Sequence, residues 1–174
     1  MRLLTGLLFY GLLNDVALGV LALRHVNNMF LLHLYTLVSY LLLALLFAYW
    51  HQGRPARCMR LSILLFSAIY ILLLGTGYEE LQLPNKYSQS IRTVFIAFIS
   101  LYTLYTIRRE RADPPAHRDE RFWVSLGAFI SQSGNVLVYA AIPVFITHSL
   151  WQVHNALSIV GNILYFGAYL CLRR

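Results

Sequence analysis

Three residues stand out in an otherwise apolar chain: Asp15, His33 and His154. A carboxylate and two imidazoles can hold a proton, hold a cation, or ligate zinc with one position open for water. Asp15 falls near the middle of a long apolar run. A charged residue there costs about 2.5–3.5 kcal/mol on insertion scales, so it is expected to face neighbouring helices or a wet cavity. Gly11, Asp15 and Gly19 share one i, i+4 row, and Gly6, Tyr10 and Asn14 share the next. The glycines permit close helix approach, which would bury Asp15 against a partner helix. His33 opens the stripe His33, Thr36, Tyr40, and His154 opens His154, Ser158, Asn162, Tyr165, Tyr169. Gly127, Ser131, Asn135 and Tyr139 follow at i, i+4 steps, with Gln132 beside them. The candidate ligand- or proton-binding set is therefore Asp15, Asn14, His33, Asn135, His154 and Asn155. The metal alternative is Asp15, His33 and His154 around zinc. Each has a plainer reading: an Asp that locks the bundle, interfacial His bonded to carbonyls or water, and amides that glue helices. No HExxH, paired HxxxH, P-loop or GxSxG is present, and no catalytic residue is assigned. Gly75 to Glu79 is only superficially like a potassium filter, because it ends an apolar segment and lacks a preceding pore helix.

The elements that must position these residues are membrane helices. The 174 residues are 59% hydrophobic and only 12% charged, against about 25% charged in soluble domains. Mean hydropathy is +0.60. This excludes a soluble enzyme, a disordered tail and a disulfide scaffold. Six apolar runs approach the roughly 20 residues needed to span a bilayer: 4–23, 29–50, 61–78, 91–107, 122–147 and 151–172. The expected fold is all-α, a single transmembrane domain of six helices over residues 1–174. Gly134 and Pro143 suggest a kink in the fifth. The first run is not read as a cleaved signal, because Asn14 and Asp15 interrupt it.

Charge assigns the orientation. Net charge is +7, and the arginines cluster in 51–60 and 108–121, whereas 79–90 is acidic or neutral. The positive-inside rule then places both termini on the cytoplasmic side of the membrane. Eleven of the fourteen Lys and Arg residues lie on that side, with Arg24, Lys86 and Arg92 the exceptions. The same distribution argues against nucleic acid as a partner. Glu79 and Glu80 read as a solvated outer loop, and Arg92 as a residue that snorkels to the interface. Lys86 is the one lysine, so a retinal-type Schiff base within a helix is excluded. Cys58 and Cys171 fall on the reducing side with no ligand spacing, so neither a disulfide nor a zinc knot is expected.

Sliding residue 3 onto residue 124 brings Gly6 onto Gly127, Asn14 onto Asn135, Phe30 onto Trp151 and His33 onto His154. This suggests a parallel repeat of the hairpins formed by helices 1–2 and 5–6, against a background of chance identities in a Leu-rich chain. Asn27-Asn28 followed by Leu32 to Tyr40 (LHLYTLVSY), with Trp151, His154, Asn155 and Asn162, resembles small uncharacterised bacterial multi-pass membrane proteins. The resemblance covers about two helices and implies a fold plan with no substrate. In that group an acidic residue often stands where this chain has Ser39, so no proton-coupled role for that position is implied here. Three functions remain open at this point, beside a purely structural role as a membrane subunit. One is sensing or binding of a small ligand or lipid, with a cytoplasmic partner at the basic loops. The others are a proton- or ion-coupled transporter or channel-forming oligomer, and an intramembrane zinc hydrolase.

Overall fold

The computed structural model describes residues 2–110, 118–141 and 148–172. Six helices account for most of them: α1 Arg2–Leu23, α2 Met29–Trp50, α3 Gly53–Gly75, α4 Lys86–Glu110, α5 Glu120–Ala141 and α6 His148–Leu172. No strand occurs among the described residues. Four of the helices, α1 to α4, are long and apolar enough to cross a membrane. A 22-residue helix such as α1 is about 33 Å long, against about 30 Å of hydrocarbon. Pro143 lies outside the described residues, and α5 runs unbroken through Gly134.

Two of the helices outrun the apolar segments that announce them. α3 starts eight residues before the expected 61, and α4 five before 91. The physical reason is the same in both. Arg54, Arg57 and Arg60 in α3, and Lys86 to Gln89 in α4, are good enough helix residues to extend the helix into polar surroundings. Hydropathy registers only the apolar part.

The chain divides into two compact units, Met1–Arg92 and Thr93–Arg174. In the first, α1 packs on α2 and α2 on α3. The inner seam of α1 runs through Leu4, Leu7, Gly11, Asn14, Leu18 and Leu21, alternating steps of three and four. Tyr10 stacks on Tyr35 of α2, with ring centroids 5.9 Å apart. Tyr40 joins α2 to α3 twice: its ring meets Phe66 at 4.2 Å, and its hydroxyl donates to Ser62 Oγ at 2.8 Å. α3 ends at Gly75, and two residues on Gly77 has a φ of +75°, in the left-handed region that favours glycine. The Glu79 amide then turns back onto the Leu73 carbonyl at 3.1 Å. The segment 75–79 is thus a helix stop that delivers Glu79 to the protein interior.

In the second unit α5 lies tightly against α6. A Cβ on Gly127 would stand 3.0 Å from the Gly161 carbonyl oxygen and from Leu164 Cβ, and one on Gly161 would stand 3.0 Å from Ser131 Cβ. Small residues here let two backbones approach. The small face Gly127/Ser131 therefore serves packing within the chain. Asp119 precedes α5 and accepts the Arg121 amide at 2.9 Å and its Nε at 3.0 Å, and Glu110 approaches the same guanidinium at 3.6 Å. Burial alone would lower the Arg121 pKa, but the Asp119 hydrogen bond and the charges of Asp119 and Glu110 outweigh it and hold it above its ordinary value.

Candidate functional site

The polar residues of α2 form a ladder facing the segment 79–92. Asn27, just before the helix, accepts the Met29 amide at 3.0 Å and donates to the Gln82 carbonyl at 3.2 Å. His33 sets Nε2 between two carbonyls of the same segment, Glu80 at 3.1 Å and Leu83 at 3.0 Å. Thr36 accepts from Asn85 Nδ2 at 2.6 Å and donates to Gln89 Oε1 at 2.8 Å. Ser39 accepts from Arg92 Nη1 at 2.8 Å and gives its own proton to the Thr36 carbonyl. These rungs follow the spacing 33, 36, 39, one face of a helix.

Across from the ladder, α4 begins without a local cap. Asn85 occupies the capping position, but its side chain reaches α2 instead, to Thr36 and to the Leu32 carbonyl at 3.2 Å. The first amides of a helix have no partner inside it. Glu79 supplies one from a distance, accepting the Ser88 amide on Oε1 at 2.7 Å. A carboxylate there also meets the positive end of the helix dipole. Capping of this kind contributes about 1 kcal/mol. Glu79 is only 5% exposed, and Arg92 likewise 5%.

This corrects two expectations. Glu79 does not sit in a solvated loop. Arg92 does not snorkel outward either. It is the seventh residue of α4, too deep to reach the helix end, and it turns into the buried ladder. The residues that reading by composition missed are therefore Glu79, Asn85, Ser88 and Arg92. The available signal was Pro84-Asn85, a helix-start pair, which moves the origin of α4 back and carries Arg92 inside.

The ladder is not fully satisfied. His33 is 1% exposed and Ser88 0%. His33 Nδ1, Ser88 Oγ and Glu79 Oε2 have no hydrogen-bond partner. Tyr70 closes the group from α3, with its ring 6.3 Å from that of His33 and its hydroxyl in the field of Glu79. Orphaned buried polar atoms are uncommon in native proteins and mark sites of strain, catalysis or bound species.

The other expected site residues fall as follows. Asn14 is buried on the α1 seam. Asp15 is exposed, one position off that seam, so it is not buried against a partner helix as its glycine row suggested. Gly19 has open space around it, and Gly11 meets only the Tyr35 ring at 3.9 Å. The apolar residues of α1 go all round, so their pattern cannot say which side packs. Tyr35 lies in the electrostatic reach of both Asp15 and Arg92. Asn135 is buried in the second unit beside Ser131 and Gln132. The backbones of His154 and Asn155 belong to α6, and their side chains lie outside the described residues. Among the described residues no three His, Cys, Asp or Glu side chains come together as a metal set.

The second unit also holds a pocket of about 260 Å³, where Ala97, Phe98 and Leu101 of α4 meet Phe129, Ser133 and Val136 of α5. Its walls are apolar, in contrast to the ladder. Comparison with protein-family models, with curated proteins and with solved structures finds no match, so the site is read from its own geometry.

Proposed function

We propose that the protein is an integral membrane protein that binds a small ligand or lipid at the buried polar ladder of its first unit, as a sensor or binding component. One observation carries the reading: His33, Glu79 and Ser88 hold buried polar atoms without hydrogen-bond partners in a chain that is otherwise apolar. Leaving such a group unmet costs about 1–3 kcal/mol, and a bound species would recover it. The reading takes six crossings from the apolar runs, both termini on the cytoplasmic side from the placement of the arginines, and a bacterial inner membrane from the resemblance. The basic stretches 51–60 and 108–121 would meet a cytoplasmic partner.

The test is thermal stability of the detergent-purified protein against fractions of polar metabolites and lipids. A fraction that raises the melting temperature of the parent chain but not of His33→Gln supports the reading. Fractions that act equally on both, or none that acts, oppose it.

Proton-coupled transport is the second reading, favoured by one observation. Asp15 is exposed near the middle of α1, within reach of Tyr35. Flux in proteoliposomes that disappears in Asp15→Asn would support it. Vesicles no leakier than empty ones, under both a potential and a pH gradient, would reject it.

A further inference from the structure

Resting on the binding reading above, we infer that the site takes a primary ammonium group, carried by a free amine or by an amine lipid headgroup. The argument counts donors and acceptors. Carbonyl oxygens only accept, so His33 Nε2 must carry a proton to bond the Glu80 and Leu83 carbonyls. In the neutral ring Nδ1 is then a lone pair, buried and without a partner. The second oxygen of the Glu79 carboxylate is an acceptor in the same position, and the Ser88 hydroxyl beside it can accept or donate. The three belong to one place. Glu79 Oε1 is bonded to the Ser88 amide, and His33 holds the carbonyl of the residue after Glu79.

Several neighbouring donors are already engaged. Asn85 Nδ2 serves Leu32 and Thr36, and the Thr36 and Ser39 hydroxyls serve Gln89 and the Thr36 carbonyl. Arg92 stands one turn further along α4 than Ser88 and is engaged with Ser39. The ammonium of Lys86 is exposed and lies over the Tyr87 ring, 4.8 Å from its centroid. What remains is two acceptors, one of them a carboxylate, and the Ser88 hydroxyl, which can accept as well as donate, beside the Tyr70 ring. A primary ammonium presents three donors and one positive charge, and aromatic rings favour a cation nearby. A quaternary ammonium has the charge but no donor, which separates this chemistry from simple charge attraction.

The experiment is a melting series on the full chain at pH 8, above the ordinary imidazole range. Ethylammonium chloride is titrated against tetramethylammonium chloride at matched ionic strength. In parallel, nanodiscs of phosphatidylethanolamine are compared with phosphatidylcholine. Glu79→Gln takes the charge from a helix cap and lowers stability by itself. Ser88→Ala is the cleaner variant, because the hydroxyl it removes makes no hydrogen bond in the free protein. The expected result is a saturable rise in melting temperature with ethylammonium, absent with tetramethylammonium. Ser88→Ala then raises the half-saturating concentration about tenfold or more, the effect of one hydrogen bond to a charged group, with the ligand-free melting temperature not lowered. A rise confined to phosphatidylethanolamine discs, and lost in Ser88→Ala, assigns the ammonium to a lipid headgroup. Equal rises with both salts, no rise with ethylammonium or phosphatidylethanolamine, or an unchanged response in Ser88→Ala each overturn the inference. If a ligand of another class stabilises the parent chain but not His33→Gln, the binding reading survives and the ammonium assignment falls. If no ligand does, both fall.

Discussion

Thr36 is the most connected side chain of the ladder, since it accepts from Asn85 and donates to Gln89 through one oxygen. Thr36→Val keeps the shape and removes both bonds. It should cost about 1–3 kcal/mol, because the buried Asn85 amide is left with that bond unmade and the half-buried Gln89 side chain loses its donor; chemical denaturation in detergent measures it. Ser39 offers a sharper test. Its oxygen is 2.8 Å from Arg92 Nη1, so Ser39→Asp places a carboxylate within reach of a buried guanidinium. That substitution should be tolerated, within about 1 kcal/mol of the parent, because the two charges compensate. In an Arg92→Leu background the same aspartate should cost several kcal/mol, the penalty for a buried charge left alone. A double-mutant cycle with little coupling would remove the pairing.

Glycine has opposite meanings on different helices. Gly127 of α5 is pressed against the Gly161 carbonyl and Leu164 of α6, whereas Gly6 of α1 has nothing within 4 Å of a built Cβ. Gly6→Ala should stabilise slightly, by up to about 1 kcal/mol of helix propensity. Gly127→Val should destabilise by about 1–3 kcal/mol or more, because the atoms it meets are backbone and Cβ atoms that cannot rotate away. Melting of the two variants side by side checks both signs. At this scale the sequence announced the elements well. The positions of α1 and α2 follow from apolar runs that end at polar residues. The starts of α3 and α4 were hidden because helix propensity continues where hydropathy stops. The seam of α1 was hidden for another reason: leucines on every side satisfy lipid and protein alike, so Asn14 and Asp15 were equal candidates for the interior.

Taken whole, the chain is a set of helices most of whose basic residues collect in two stretches, 51–60 and 108–121, and at its end. The proposed orientation has a direct consequence for Cys58, which is exposed in the first turns of α3. In a Cys171→Ser background, a membrane-impermeant maleimide should leave Cys58 unlabelled in intact cells and label it after permeabilisation. Labelling in intact cells would invert the orientation.

Composition and charge pattern determined by themselves that this is an all-helical chain with helices fit for a membrane, since hydropathy is a sum over residues and needs no partners. They also marked His33 as a residue of interest. The tertiary structure decided what His33 does, because its Nε2 finds carbonyls 47 and 50 residues away. It likewise decided that Glu79 caps α4, that Arg92 turns inward and that Asp15 stays outside. Each of these depends on which faces meet. A buried polar group is specified by its partner across a helix interface, and in a chain apolar on all faces that partner is written only in three dimensions.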